Sequence, residues 1–372
     1  MILSLALASA LLQQDRFKVL QPDFRTLTLT SIDNASAGLM LEAQLTKLDP
    51  PKRAPLNKLV FEYITAGYAR LDAKDDFHLR VRVFTQYRPS NGDPTDLVAQ
   101  MLMRLWDFNR WRLGVDHSPA IHQKAVDVYL CAGGDPGAEQ RVLEDPLEPT
   151  PDGRPSRVNN IYIYAVQNIP NALEFAREVA HEYGHASWPP IGGYKEPEDW
   201  ASGDMGERVF MTWVMQGMEA KKLGPQDAMN ATLTDLQQYY AERVLPDMKR
   251  VGTKMPQAGV LKGDDKGAYA ELMGLTSYAA AILPYKVFGR SLMLNRDRTA
   301  MGLYNAVFEA CSEVDDWNLT VPQGMEGLAL WVPLKAGTVT GAKELRREGD
   351  WLKIQPTSAN VTVHNAKTSS SP

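Results

Sequence analysis

The sequence is poor in the features that most directly assign a class. Its 372 residues include two cysteines, Cys131 and Cys311, which either form one disulfide or sit as core thiols in apolar surroundings. Lys and Arg number 40 against 45 Asp and Glu, and the net charge of −5 gives no electrostatic case for nucleic acid or an anionic membrane. There is no long basic run and no internal repeat. Beyond the N-terminus no apolar stretch approaches membrane-spanning length, so no transmembrane segment is expected. What is present, 44% hydrophobic and 23% charged residues, is ordinary globular composition, enough for two or three packed units.

The first residues, from Met1 to Leu12, are apolar and turn polar at Gln13-Gln14-Asp15. With Ala8-Ser9-Ala10 as a cleavage site they resemble a short secretory leader lacking its positive n-region. The expectation is a signal peptide over 1–14 and a secreted, periplasmic or cell-envelope location. Sequons stand at Asn34, Asn230, Asn318 and Asn360.

Apolar–polar alternation predicts strands at 24–30 and 38–48, closed by the turn-rich 49–55. The cleanest strand is 77–85, with Leu79, Val81 and Val83 on one face and His78, Arg80 and Arg82 on the other. Helical periodicity follows over 95–111, then strands at 126–131 and 159–165. The acidic, Pro- and Gly-rich stretch between them, 137–157, reads as a loop. Further helices are predicted at 171–188, 200–217, 228–245, 267–283 and 298–311, and strands at 349–354 and 359–363. The corresponding division is an N-terminal β segment (15–70), a catalytic core (71–220), a helical subdomain (221–325), a C-terminal β unit (326–366) and a disordered tail (367–372).

The most informative stretch is Arg177-Glu-Val-Ala-His181-Glu182-Tyr-Gly-His185-Ala186. With six histidines in the chain, His-Glu-x-x-His rarely arises by accident. On a helix the two imidazoles lie one turn apart on the same face and can grip one metal ion, with Glu182 placed to polarise water. Asn171 and Glu174 match a capping box at the start of that helix, and Trp188-Pro189-Pro190 ends it. Catalytic zinc needs a third protein ligand. A third His six residues on is excluded, because Trp188 and Ile191 stand at the Gly and His positions of that pattern, and the remaining downstream His is His364. A carboxylate is left. Glu207, on the next helix, is favoured because a rigid element holds a ligand best. Asp204 and the loop acids Glu196, Glu198 and Asp199 are the alternatives.

His-Glu-x-x-His followed by a glutamate on the next helix resembles the gluzincin group of zinc metallopeptidases, to which thermolysin-like enzymes belong. The resemblance extends over about Phe77 to Gly217. It implies an α+β fold with a zincin-like core, a mixed sheet plus active-site helix, carrying a helical C-terminal subdomain and small β-rich ends. It also implies Zn2+ held by His181, His185 and Glu207, Glu182 as general base on metal-activated water, and a peptide or protein substrate. A strand beside the active-site helix, here Ile161, Tyr162 and Ile163, would bind substrate backbone by strand addition. A tyrosine, Tyr278 or Tyr285, would steady the oxyanion. Two rival readings are a metal-dependent hydrolase of a non-peptide amide and a zincin-like binding or scaffold protein.

Overall fold

The computed structural model describes residues 24–89, 94–116, 125–149 and 155–366. The expected leader and tail lie outside these residues. The chain is a mixed α+β protein whose described residues divide into two compact units: those within 24–106, 125–179 and 226–230 in the first, and those within 107–116, 180–225 and 231–366 in the second.

The first unit is built on a seven-stranded sheet. In chain order its strands and their small neighbours are β1 (Phe24–Thr30), β2 (Gly38–Gln44), β3 (Lys52–Arg53), β4 (Val60–Phe61), β5 (Tyr63–Arg70), β6 (His78–Thr85), β7 (Val126–Leu130), β8 (Gly137–Pro149) and β9 (Pro155–Tyr164). The sheet order is β1-β2-β5-β6-β7-β9-β8, with β3 and β4 forming a separate pair. Strands β6, β7 and β9 run parallel and the outer pairs are antiparallel. Helix α1 (Pro94–Phe108) is the crossover that a parallel β6–β7 pair requires. The expected boundary at 70/71 falls between β5 and β6, paired strands of this one sheet, so the N-terminal β segment is part of it.

Strand β6 alternates as read, but its polar face is also covered: Arg80 and Arg82 are buried. Arg82 donates from Nε and Nη2 to Asp127 Oδ1 and Oδ2 at 2.6 and 2.8 Å, across the β6–β7 register, and the Arg80 guanidinium lies over the Trp106 ring. The stretch expected as a loop over 137–157 supplies edge strand β8 and the start of β9. Composition hides this, because β8 is held by its backbone ladder from Gly137↔Tyr164 to Glu144↔Arg157 rather than by an apolar face.

Strand β9 therefore has neighbours on both sides. Ile161, Tyr162 and Ile163 are almost completely buried, and their backbone faces β7 and β8. Strand addition at these residues, expected from sequence, is not possible, because an added strand needs a free edge. Tyr162 instead stacks on Tyr129 at 5.0 Å, and its hydroxyl accepts from the Leu56 amide at 3.1 Å.

The second unit is mainly helical. Helix α2 (Ala172–Ser187) begins in the first unit and contributes its last two turns here. It is followed by α3 (Ser202–Glu219), α4 (Leu233–Tyr239), α5 (Leu245–Lys254), α6 (Lys266–Ile282), α7 (Tyr285–Leu294) and α8 (Ala300–Ser312). The single helix expected over 228–245 starts at a Thr232–Asp235 capping box, widens into a π-turn over Tyr240–Val244 and continues as α5. Helix α7 has no counterpart in the sequence reading. Two three-stranded sheets close the unit: β10 (Asp316–Leu319), β15 (Val361–Asn365) and β12 (Gly337–Thr340), then β11 (Leu330–Pro333), β14 (Trp351–Pro356) and β13 (Ala342–Glu348). Because β10 pairs with β15, the terminal β unit begins at Asp316, ahead of the expected 326. Trp331, Trp351 and Phe308 form its core.

Candidate metal centre

Helix α2 starts where its sequence says it should. Asn171 Oδ1 accepts from the Glu174 amide at 2.9 Å, while Glu174 spends its own carboxylate on Arg177 rather than on the cap. Phe175 and Val179 are buried as expected. The helix ends at Ser187, ahead of Pro189 and Pro190.

The backbones of α2 and α3 touch. A side chain on Gly184 would bring its Cβ to 2.5 Å from the Ser202 carbonyl, and one on Gly206 would reach 2.6 Å from Gly184 Cα. Glycine at both positions lets the helices approach until α3 faces the imidazoles. Gly203 is the point of closest approach: a Cβ there would collide with Nε2 of both His181 and His185. The space into which the two lone pairs converge is left open by a residue without a side chain.

The two Nε2 atoms are 3.2 Å apart, and Glu198 Oε2 lies 3.2 Å from that of His181 and 3.5 Å from that of His185. Ligands at 2.0–2.1 Å on tetrahedral zinc are separated by about 3.3 Å, so this triangle has the dimensions of three zinc ligands. The acid expected to complete the site, Glu207, is elsewhere on the ring. Its Oε2 is 3.4 Å from His181 Nδ1, as is Asp204 Oδ1, and Nδ1 points away from the Nε2 pair. Helix α3 thus presents its acids to the far edge of the imidazole, and the loop acid Glu198, an alternative in the sequence reading, meets both Nε2 atoms. Among the described residues the candidate metal-holding groups are these two, His181–His185–Glu198 and His181–Asp204–Glu207.

Hydroxyls hold the outer oxygens. Tyr239 donates to Glu207 Oε1 at 2.9 Å, and Ser202 Oγ lies 3.1 Å from His185 Nδ1. The Tyr269 hydroxyl is 2.6 Å from Glu198 Oε1 and 2.7 Å from Asp204 Oδ2. Carboxylates at Nδ1 favour the tautomer that carries its proton there and turns the Nε2 lone pair toward a metal. Burial pulls the His181 pKa down, but hydrogen bonds to Asp204, Glu198 and Glu207 outweigh it and the net displacement is upward. Burial raises Glu198, and contacts with His181 and His185 bring it well below the usual carboxylate range; burial also raises Asp204, and hydrogen bonds to His181 and Tyr269 bring it below its ordinary value. Burial, then Asp204 and Glu198, push the Tyr269 phenol far up, so it stays protonated as a donor. The ion pairs of Glu198 and Asp204 among the described residues are to imidazoles, not to Lys or Arg. A divalent cation would balance this charge, and the donor set suits one. Glu182, one residue after His181, is 4% exposed.

The tyrosines expected to face the reaction do not. Tyr278 is fully buried and donates to the Trp331 carbonyl at 2.7 Å; Tyr285 lies 3.3 Å from Gln216 Oε1. Both belong to the packing of the helical region. Tyr269, Tyr239, Ser202 and Gly203 belong to the site but are not among the residues that the sequence motif points to. The small residues Gly184, Gly203 and Gly206 were a readable sign of close helix contact, whereas nothing local marks a tyrosine 71 positions from Glu198. Cys131 and Cys311 are both free and buried, as core thiols. No helix among the described residues is long and apolar enough to cross a membrane. Compared with known protein families and with curated proteins, the chain matches no family model and no curated sequence.

Proposed function

We propose that the protein is a zinc-dependent peptidase with a zincin-like arrangement of its active-site helix. The observation that carries this reading is the convergence of His181 Nε2, His185 Nε2 and Glu198 Oε2, 3.2–3.5 Å from one another, on the helix turn that also bears Glu182. In this reading His181, His185 and Glu198 hold the metal, and Asp204 and Glu207 orient His181 from behind. This differs from the gluzincin expectation, which gives the third position to Glu207.

Bound zinc supplies Lewis acidity, polarising a carbonyl and making water acidic enough to lose a proton near neutral pH. With zinc held there, Glu182 would act as general base on the attacking water and return the proton to the leaving amine, so one carboxylate would serve both halves of the reaction. Ser202 and the Asp204–Glu207 pair keep the imidazoles from turning away. Asp204, Glu207 and Tyr239 act through His181 and do not touch substrate.

The experiment is cleavage of a generic unfolded protein and a peptide library by the zinc-loaded chain and by Glu182→Gln. The expected result is new amino termini from the wild type, with the variant retaining its zinc while its rate falls about 10²–10⁴-fold. A wild type that holds zinc yet cleaves no peptide overturns the peptidase reading and leaves the non-peptide amide or scaffold readings.

A further inference from the structure

Glu198 lies on a loop, and a loop carboxylate needs something to hold it. The base of that loop closes on itself: the Ala201 amide donates to the Ile191 carbonyl at 2.7 Å and the Gly193 amide to the Asp199 carbonyl at 3.2 Å. Its tip is docked elsewhere, on residues 264–269, the turn that opens α6. The Lys195 amide donates to the Asp264 carbonyl at 2.9 Å, and Lys195 Nζ meets Asp264 Oδ2 at 2.7 Å. Lys266 Nζ meets Glu196 Oε2 at 2.9 Å, and the Tyr269 hydroxyl meets Glu198 Oε1 at 2.6 Å. The two lysine pairs are exposed, and such pairs hold weakly. Tyr269 is different. It is 4% exposed, packs edge-on against Tyr194 with ring centroids at 5.1 Å, and rises from a turn capped by Asp265, whose Oδ1 accepts from the Ala268 amide at 2.9 Å.

We propose that Tyr269 is the positioning residue of the metal centre: by holding Glu198 Oε1 it aims Oε2 at the two Nε2 atoms. The same hydroxyl lies 2.7 Å from Asp204 Oδ2, whose partner oxygen faces His181 Nδ1; its single proton serves one carboxylate at a time, so the loop ligand and the acid behind one imidazole share one donor. Helix α6 thereby makes zinc affinity depend on the docking of the 192–200 loop. This rests on the zinc site proposed above and deepens it.

The test is zinc affinity by chelator competition, alongside the melting temperature of the metal-free protein. Tyr269→Phe removes one oxygen. It is expected to weaken zinc binding about 10–100-fold with metal-free melting unchanged, whereas Lys266→Ala stays within about twofold. In an Asp204→Asn background, which keeps the ligand Glu198, the loss on Tyr269→Phe persists, because the hydroxyl still holds Glu198 Oε1. Equal affinity of Tyr269→Phe and wild type overturns the inference, as does a loss that vanishes in the Asp204→Asn background. If Tyr269→Phe does not fold, hydrogen exchange on the wild type decides: zinc should slow exchange in 192–200 and 264–269 together, and no change in either segment overturns the docking. A wild type that binds no zinc at all instead removes the proposed metal site itself.

Discussion

His181 has an acid at each ring nitrogen, and which edge each acid faces decides its role. Glu198 meets Nε2 while Asp204 and Glu207 meet Nδ1. Glu198→Ala is therefore expected to abolish stoichiometric zinc, and Glu207→Ala to weaken it about 10–100-fold without abolishing it. Metal analysis after gel filtration at limiting zinc separates the two, and the reverse pattern would restore Glu207 as the ligand. Sequence could narrow the third ligand to a carboxylate, because the chain has no suitably placed third His. It could not see which imidazole edge α3 faces, since that depends on the contact of Gly184 with Gly206 and Ser202. Arg82 shows the same limit in the first unit. Alternation located β6, yet Asp127, 45 residues away, turned its polar face inward. Arg82→Ala strips a buried carboxylate of this counter-charge and is expected to destabilise the first unit by about 3–5 kcal/mol, read by denaturant unfolding.

At the scale of elements, the centre is one helix pair with a docked loop. Gly203 shows how little room the pair leaves: alanine ordinarily stabilises a helix by about 1 kcal/mol over glycine, but here its Cβ would meet both Nε2 atoms. Gly203→Ala is expected to lose zinc while the far-ultraviolet circular dichroism of the metal-free protein is kept; a variant that binds zinc as tightly as wild type would mean the metal lies elsewhere. Helix α2 was legible because its signals are local: Asn171 at the cap, His181 and His185 one turn apart, Pro189 at the end. Strand β8 was not, since an edge strand rich in acids shows its identity through pairing with β9 alone. Tyr278 was misplaced for a related reason. A helix nearly all buried gives no periodic clue to which tyrosine faces a site, and the structure puts Tyr269 there and Tyr278 beneath the Trp331 carbonyl.

For the molecule as a whole, a metal that binds the folded state alone shifts stability by mass action. Zinc at 1,000 times its dissociation constant adds about 4 kcal/mol. Chelation is therefore expected to lower the melting temperature by roughly ten degrees, and readdition of zinc to restore it. Composition indicates more than one packed unit, because that follows from totals, while the α+β class is implied by the family resemblance. Among the described residues no helix is long and apolar enough to cross a membrane, as the lack of long apolar runs leads one to expect. Composition does not show that the segment before residue 70 and the strand at 78–85 share one sheet, which is a matter of long-range pairing. The most direct measurement of the central claim is a zinc titration of the metal-free protein with peptide-bond cleavage as the signal. Cleavage should rise linearly and reach its plateau at one zinc per chain. Cleavage that is already complete without zinc, or absent at every zinc concentration, would contradict it.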